Sequence, residues 1–220
     1  TGLNEKTARA AGVDYGKAVT YSASHASYYP GAHNMTVKTL YDPATGRILG
    51  AQIVGFDGVD KRMDVLATAI RAGLTAADLT ELDLAYAPPY GSAKDPVNMA
   101  GYVIENLRAG RVEQHHWDEV AGLPADGSVV LLDVRTPGEV RRQGLLRPDA
   151  VNIPLDELRN RLGELDPAKK IYVNCFSGLR SYLACRILRQ HGYRCSNLSG
   201  GWRFWSYNAT DRAHDAAPTH

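Results

Sequence analysis

The sequence predicts two domains of different class: an α+β domain over residues 1–109 and an α/β domain, a parallel sheet flanked by helices, over residues 119–208. A polar linker at 110–118 joins them, and residues 119–208 are followed by a tail at 209–220. Three observations carry this division. A chain of 220 residues is long enough for two cores, since domains commonly run to about 100–150 residues. Strands precede helices in the first half, whereas short apolar runs alternate with helical periodicity in the second, as parallel sheets require. Between the halves lies the polar run from Gly110 to Asp118.

In the first domain, Val19 to Tyr28 and Met35 to Tyr41 are rich in β-branched and aromatic residues and read as strands. Asp42-Pro-Ala-Thr-Gly46 reads as a hairpin turn, and Arg47 to Val54 as the returning strand. Val59, Met63, Leu66 and Ile70 share one helical face, and Gly73 stops that helix. Thr75 and Asp78 form a capping box for a short second helix, and a last helix runs from Pro96 to Ala109. In the second domain, Val129 to Val134 predicts a buried strand. Pro154 to Leu162 predicts a helix with Leu155, Leu158 and Leu162 on one face. Ile171 to Asn174 is the next strand, Ser181 to His191 a helix stopped by Gly192, and Cys195 begins a short strand. In such a sheet the ligand is expected at the carboxyl ends of the strands.

The formal net charge of +1, with both signs interspersed, offers neither a basic stripe for nucleic acid nor a polybasic patch for a membrane. No apolar run approaches the roughly 18 residues of a membrane span, and no secretory leader is evident. Three cysteines without paired spacing argue against a disulfide framework and suit a reducing cytosol, the expected location. No Cys/His group has metal-ligand spacing, and His115-His116 reads as part of a solvated linker. The chain opens on Thr1 rather than Met, so a fragment of a longer protein is expected.

The chemistry concentrates in Cys175-Phe176-Ser177-Gly178-Leu179-Arg180-Ser181. This run puts a thiol at the mouth of a strand, where converging backbone N–H groups and a helix start favour negative charge on sulfur or on a bound anion. A buried structural cysteine is the alternative for any lone thiol, and the expected role of Cys185 and Cys195. The context of Cys175 argues otherwise: Gly178 permits a tight loop and Arg180 adds a fixed fork of donors.

The loop and its flanks resemble the active-site loop of rhodaneses, sulfurtransferases that carry a sulfane sulfur as a cysteine persulfide. Leu131-Leu132-Asp133-Val134-Arg135 with Glu139, Ala150-Val151-Asn152-Ile153-Pro154, and Leu198-Ser199-Gly200-Gly201-Trp202 with Trp205 extend the resemblance. The family's Gly-His-Ile is replaced by Gly144-Leu145-Leu146. The C-x4-R spacing from Cys175 to Arg180 is similar to that of rhodaneses rather than to the C-x5-R of related phosphatases and arsenate reductases. The resemblance implies a Cys175 thiolate attacking a sulfane sulfur, with loop N–H groups and Arg180 stabilising the leaving group, and an acceptor thiol or cyanide removing the outer sulfur. Only Arg180 is charged within the loop, so a polysulfide or low-molecular-weight persulfide is expected before thiosulfate. The same resemblance implies an ion pair between Arg135 and Glu139 beside the loop.

Residues 1–109 resemble a second family. His25-Ala-Ser-Tyr28-Tyr29-Pro30-Gly31-Ala32, Gly50-Ala51-Gln52-Ile53-Val54-Gly55, Asp60-Lys61-Arg62-Met63-Asp64-Val65 and Ala85-Tyr86-Ala87-Pro88-Pro89-Tyr90-Gly91 are similar to the dimerisation domain of flavin-dependent pyridine-nucleotide disulfide oxidoreductases, above all coenzyme A-disulfide reductases fused to a rhodanese domain. The resemblance implies a homodimer in which Tyr28 and Tyr86 reach the partner subunit's redox centre, whereas Tyr29 and Tyr90 read as interface residues. It implies FAD, NAD(P)H and coenzyme A for a full-length parent. This chain has no Gly-x-Gly-x-x-Gly after a strand, so none of these cofactors is expected to be bound by it alone. A non-catalytic dimerising scaffold and an anion hydrolase remain the competing readings.

Overall fold

The computed structural model describes residues 1–215 and separates into two compact units, Thr1–Gly110 and a second beginning at Arg111. The first is α+β, with helices packed beside an antiparallel sheet of β1 (Gly16–Ala23), β2 (Asn34–Tyr41) and β3 (Ile48–Val54) in that order. Helix α1 (Glu5–Ala10) precedes the sheet, and α2 (Val59–Ala72), α3 (Ala76–Glu81) and α4 (Pro96–Arg108) follow it. Met35, Val37, Ile48, Leu66, Leu79, Val97 and Ile104 meet in one core, the sheet's apolar face against the helical stripes. Gly50 is required by close approach: a Cβ there would stand 1.8 Å from the Leu3 carbonyl oxygen.

Most expected boundaries hold because local chemistry sets them. Gly73 ends α2 in the left-handed region at φ 74°. Thr75 and Asp78 form their reciprocal capping box on α3, and Asp95 caps α4 with Pro96 in its first turn. The first strand ends earlier than expected, at Ala23, because Ser24 N–H turns to the His33 carbonyl and the chain enters a bend through Pro30-Gly31. Helix α1 lies outside the elements expected from the sequence; Asn4 caps it through Thr7, and its Glu5 pairs with Lys17 and Lys38.

The second unit is α/β. Five parallel strands run in the order β4 (Gln114–His115), β8 (Cys195–Leu198), β7 (Lys170–Asn174), β5 (Val129–Asp133) and β6 (Val151–Asn152). The helices are α5 (Pro137–Gln143), α6 (Leu179–Gln190) and α7 (Gly201–Asp215). Pro154 to Leu162 departs from expectation. Instead of a helix it forms 3₁₀ turns, at Leu158–Asn160 and Leu162–Glu164. Leu158 is driven into the core with no exposed surface, while Asn160 and Gly163 favour turns over a continuing helix. Helix α5 lies outside the elements expected above, and its start is set by a capping box of Thr136 and Glu139 with Pro137 at the first helical position.

Part of the expected linker is sheet. Gln114 and His115 pair with Asn197 and Leu198, and the His115 ring is buried against Tyr172 at 5.1 Å with Nδ1 3.1 Å from Ser196 Oγ. Burial first, then the nearby His116 and Lys170 charges, push its pKa down to about 3, so it is a neutral core histidine rather than a solvated one. The hydrophobic alternation that marks longer strands cannot show in a two-residue strand.

Candidate active site

Strand β7 is central in the sheet, between β8 and β5, and Cys175 follows its last residue. The loop after it is held from two directions. Gly178 turns at φ 103°, which lets its own N–H donate to Cys175 Sγ at 3.1 Å and starts α6 immediately afterwards. From the first turn of α6, Ser181 Oγ–H donates to the same sulfur at 3.2 Å. On the other side, Trp202 N–H donates to the Cys175 carbonyl at 2.8 Å and Arg203 N–H to the Phe176 carbonyl at 3.0 Å. Gly201 makes this closure possible, since a Cβ there would lie 2.7 Å from the Cys175 oxygen at a φ of 64°. Asn197 Nδ2 adds a bond to the Gly178 carbonyl at 3.2 Å.

The structure thus gathers the expected loop residues Cys175, Phe176, Ser177, Gly178, Leu179, Arg180 and Ser181 into one turn. Cys175 has no exposed surface, whereas Leu179 is 62% exposed. The Phe176 ring stacks beside Trp202 at 6.4 Å, and the Arg203 guanidinium lies over its face at 5.6 Å.

The expected Arg135–Glu139 ion pair is replaced by two others. Arg135 turns into the core and grips Asp133, with Nη2 2.6 Å from Oδ2, both side chains fully buried. It also donates to the Gln143 side chain and the Gly144 carbonyl and stacks on Trp202. Glu139 instead takes both ends of the Arg180 fork, at 2.8 and 2.6 Å, while capping α5 through Thr136. Residues two apart, on the end of β5 and just beyond it, meet more readily than residues separated by a helix start, which is why Asp133 wins Arg135.

The Arg180 hydrogen bonds, opposed by partial burial, hold the Glu139 carboxyl down to about 2. Because the folded value lies below the ordinary 4.5, this clamp contributes fully above pH 4.5 and is lost as the pH falls toward 2. Glu139→Gln is therefore expected to cost roughly 1–2 kcal/mol at neutral pH, discounted for partial exposure. In acid titrations its deficit against the parent should shrink below pH 4.5; a deficit independent of pH would mean that Glu139 acts only by packing.

Cys185 and Cys195 are both buried and close to one another, Cys195 Sγ standing 3.6 Å from the Cys185 carbonyl. Their mutual hydrogen bond, then burial, pushes Cys185 up, while the same hydrogen bond, opposed by burial, pulls Cys195 down. Among the described residues no group of three His, Cys, Asp or Glu side chains could hold a metal, and no helix is long and apolar enough to cross a membrane.

In the first unit the structure brings Tyr28 and Tyr86 together, their hydroxyls 3.0 Å apart. Tyr28 is 74% exposed, and the hydrogen bond with Tyr86 raises its pKa. A buried ion pair underlies the two loops: Arg62 holds Asp95 at 2.9 Å and the Ser24 carbonyl at 2.7 Å, while Ala26 N–H bonds to the Gly91 carbonyl. Tyr29 meets His25 edge-on, and Tyr90 is exposed with its carbonyl bound by Lys61.

Residues 1–96 match the family of pyridine nucleotide-disulphide oxidoreductase dimerisation domains, and residues 116–208 match the family of rhodanese-like domains. In carrying that pair, the chain is similar to the reduced CoADR-RHD of Bacillus anthracis, at 45% identity and a TM-score of 0.92 over 96% of this chain and 38% of that one. It is also similar to a NAD-dependent persulfide reductase of A. fulgidus, at 41% identity and a TM-score of 0.82 over 93% of this chain and 36% of that one. The coenzyme A disulfide reductase of Staphylococcus haemolyticus is 46% identical over 94 residues, 43% of this chain. The chain spans about a fifth of the length of the curated relatives that it matches.

Proposed function

We propose that this chain is the sulfur-transfer and dimerisation portion of a coenzyme A-disulfide or persulfide reductase system, with Cys175 as its sulfur carrier. The observation that carries the reading is the pair of donors converging on Cys175 Sγ, from Gly178 N–H and Ser181 Oγ, within a C-x4-R loop at the end of a central parallel strand. Cys175 as thiolate attacks the outer sulfur of a persulfide R–S–SH. The donor S–S bond breaks as the new S–S bond forms, giving Cys175–S–SH and RS⁻. An acceptor thiol or cyanide then takes the outer sulfur and regenerates the thiolate. Gly178 N–H and Ser181 Oγ stabilise negative charge on the Cys175 sulfur, and Arg180, anchored to Glu139, keeps the loop in shape while adding positive charge beside it. A reducing compartment such as the cytosol keeps this thiol available.

A homodimer formed through the first unit completes the proposal, with the Tyr28–Tyr86 pair offered to the partner subunit's redox centre. Val54 and Phe56, 76% and 93% exposed, are the apolar side chains that such an interface would cover. Flavin, nicotinamide and coenzyme A sites enter through similarity to longer proteins. The β7–α6 turn, where a parallel sheet could cradle a pyrophosphate, carries Cys175-Phe176-Ser177-Gly178 in place of a Gly-x-Gly-x-x-Gly run, so these residues do not fit a dinucleotide.

One observation favours a non-catalytic, dimerising scaffold: the complete burial of Cys175. Intact mass spectrometry after exposure to polysulfide, coenzyme A persulfide or thiosulfate, followed by cyanide, separates the two. One sulfur added and then removed by cyanide supports the carrier; no adduct from any donor leaves the scaffold.

A further inference from the structure

A cavity of about 370 Å³ lies in the second unit between one face of α6 and the segment that follows β6. Leu183, Arg186, Ile187 and Gln190 form the first wall, at the spacing that sets side chains on a single helical face. Leu155, Asp156 and Arg159 form the second. That segment is fixed from two sides. Leu155 N–H donates to the Val134 carbonyl at 3.2 Å, just beyond β5, and Leu158 is buried with no exposed surface. Sheet and core therefore hold the walls apart, and the volume falls at the small end of the roughly 300–1,000 Å³ of ligand pockets.

The lining divides by chemistry. Leu155, Leu183 and Ile187 supply apolar contact, while Asp156 and Arg159 are exposed charges of opposite sign. Among the described residues neither of these two side chains makes a hydrogen bond or an ion pair. They stand three positions apart, a spacing at which opposite charges can meet on a helical turn. Their neighbour Arg161 does pair, with Glu157 and Glu164. Arg186 donates to the Arg111 carbonyl at 3.3 Å, a bond that leaves its charge unneutralised. A ligand bearing only a carboxylate would gain from Arg159 and be repelled by Asp156, and an amine alone would meet the reverse. A group that carries both charges a few atoms apart satisfies both, and a guanidinium fork matches a carboxylate bidentately.

We propose that this cavity binds a free aliphatic α-amino acid, with its carboxylate on Arg159, its ammonium on Asp156 and its side chain against Leu155, Leu183 and Ile187. Arg186 adds a second positive charge that offsets Asp156. No lining residue belongs to the Cys175–Ser181 loop, so the site stands or falls separately from the sulfur-carrier reading.

The test is calorimetric titration of the whole chain with L-leucine, 4-methylpentanoate, which lacks the amine, and L-leucinamide, which lacks the carboxylate. A dissociation constant on the order of 1 mM is expected for L-leucine. Each analogue should bind about tenfold or more weakly, through loss of one charge-assisted contact. Arg159→Met should weaken L-leucine by a similar factor and leave L-leucinamide unchanged. Asp156→Asn should weaken L-leucine and leave 4-methylpentanoate unchanged or tighter. No saturable binding of L-leucine by the parent chain at up to about 20 mM overturns the proposal. Equal binding of all three ligands shows an apolar cleft that does not read charge, and binding untouched by both substitutions shows a different site; either result overturns it as well. Both substituted residues are exposed, so a tryptophan-fluorescence melt of each variant is expected to match the parent. Should one variant melt early, the ligand series on the parent chain alone still decides.

Discussion

Cys175→Ser is expected to leave no sulfur transfer, a fall of at least about 10³-fold, with the fold intact. A hydroxyl fits the space of the thiol and can still accept from Gly178 N–H, so the loop should keep its shape, but it cannot carry a sulfane sulfur at neutral pH. Ser181→Ala should be milder. It removes the 3.2 Å hydrogen bond to Sγ and leaves the Gly178 contact, so a loss of about tenfold is expected for one hydrogen bond of roughly 1–1.5 kcal/mol. Single-turnover rates with polysulfide measure both. Transfer surviving in Cys175→Ser would place the carrier at Cys185 or Cys195, against their burial in the core.

The second large effect is on stability. Arg135→Met should destabilise the second unit by about 3–5 kcal/mol, because it strands the Asp133 carboxylate in a site with no exposed surface. That is a large part of the roughly 5–15 kcal/mol by which a domain is stable. At about 4–8 °C per kcal/mol for a unit of this size, the melting midpoint should fall by more than about 10 °C. The measurement is clean because all three tryptophans, Trp117, Trp202 and Trp205, lie in the second unit, so their fluorescence follows that unit alone. The double variant Asp133→Asn/Arg135→Met should recover part of the loss, since no buried charge is then left unpaired. A folded Arg135→Met sample with a normal midpoint but no sulfur transfer would assign Arg135 to the chemistry instead.

The two stabilising pairs show where sequence reasoning reached its limit. Glu139 was visible as a charged residue near the first strand of its sheet, and Arg135 as the nearest cation. Which partner each takes depends on helix α5, whose capping box turns Glu139 toward α6 and frees Asp133 to hold Arg135 beneath Trp202. The capping pattern Thr136-Pro-Gly-Glu139 was legible and would have flagged this. The His115 environment was not, because a two-residue edge strand leaves no periodicity to read and its burial depends on Ser196 and Tyr172 far along the chain.

By itself, the sequence determined the two-domain order, the strands-then-helices character of the first domain and the alternating pattern of the second. It also determined the place of Cys175 at a strand end and the C-x4-R spacing. These follow from local signals: period, caps, glycine stops and loop length. Tertiary structure alone decided which groups converge on the sulfur, that Gly201 must lack a side chain for α7 to close over the loop, and that Arg180 answers to Glu139 across 41 positions. It also decided that Arg203 sits over Phe176 and that Tyr28 meets Tyr86 across 58 positions. The physical reason is common to all of them. Directional contacts of about 3 Å between residues distant in sequence are fixed by packing of whole elements, and no local pattern encodes the angle at which those elements meet.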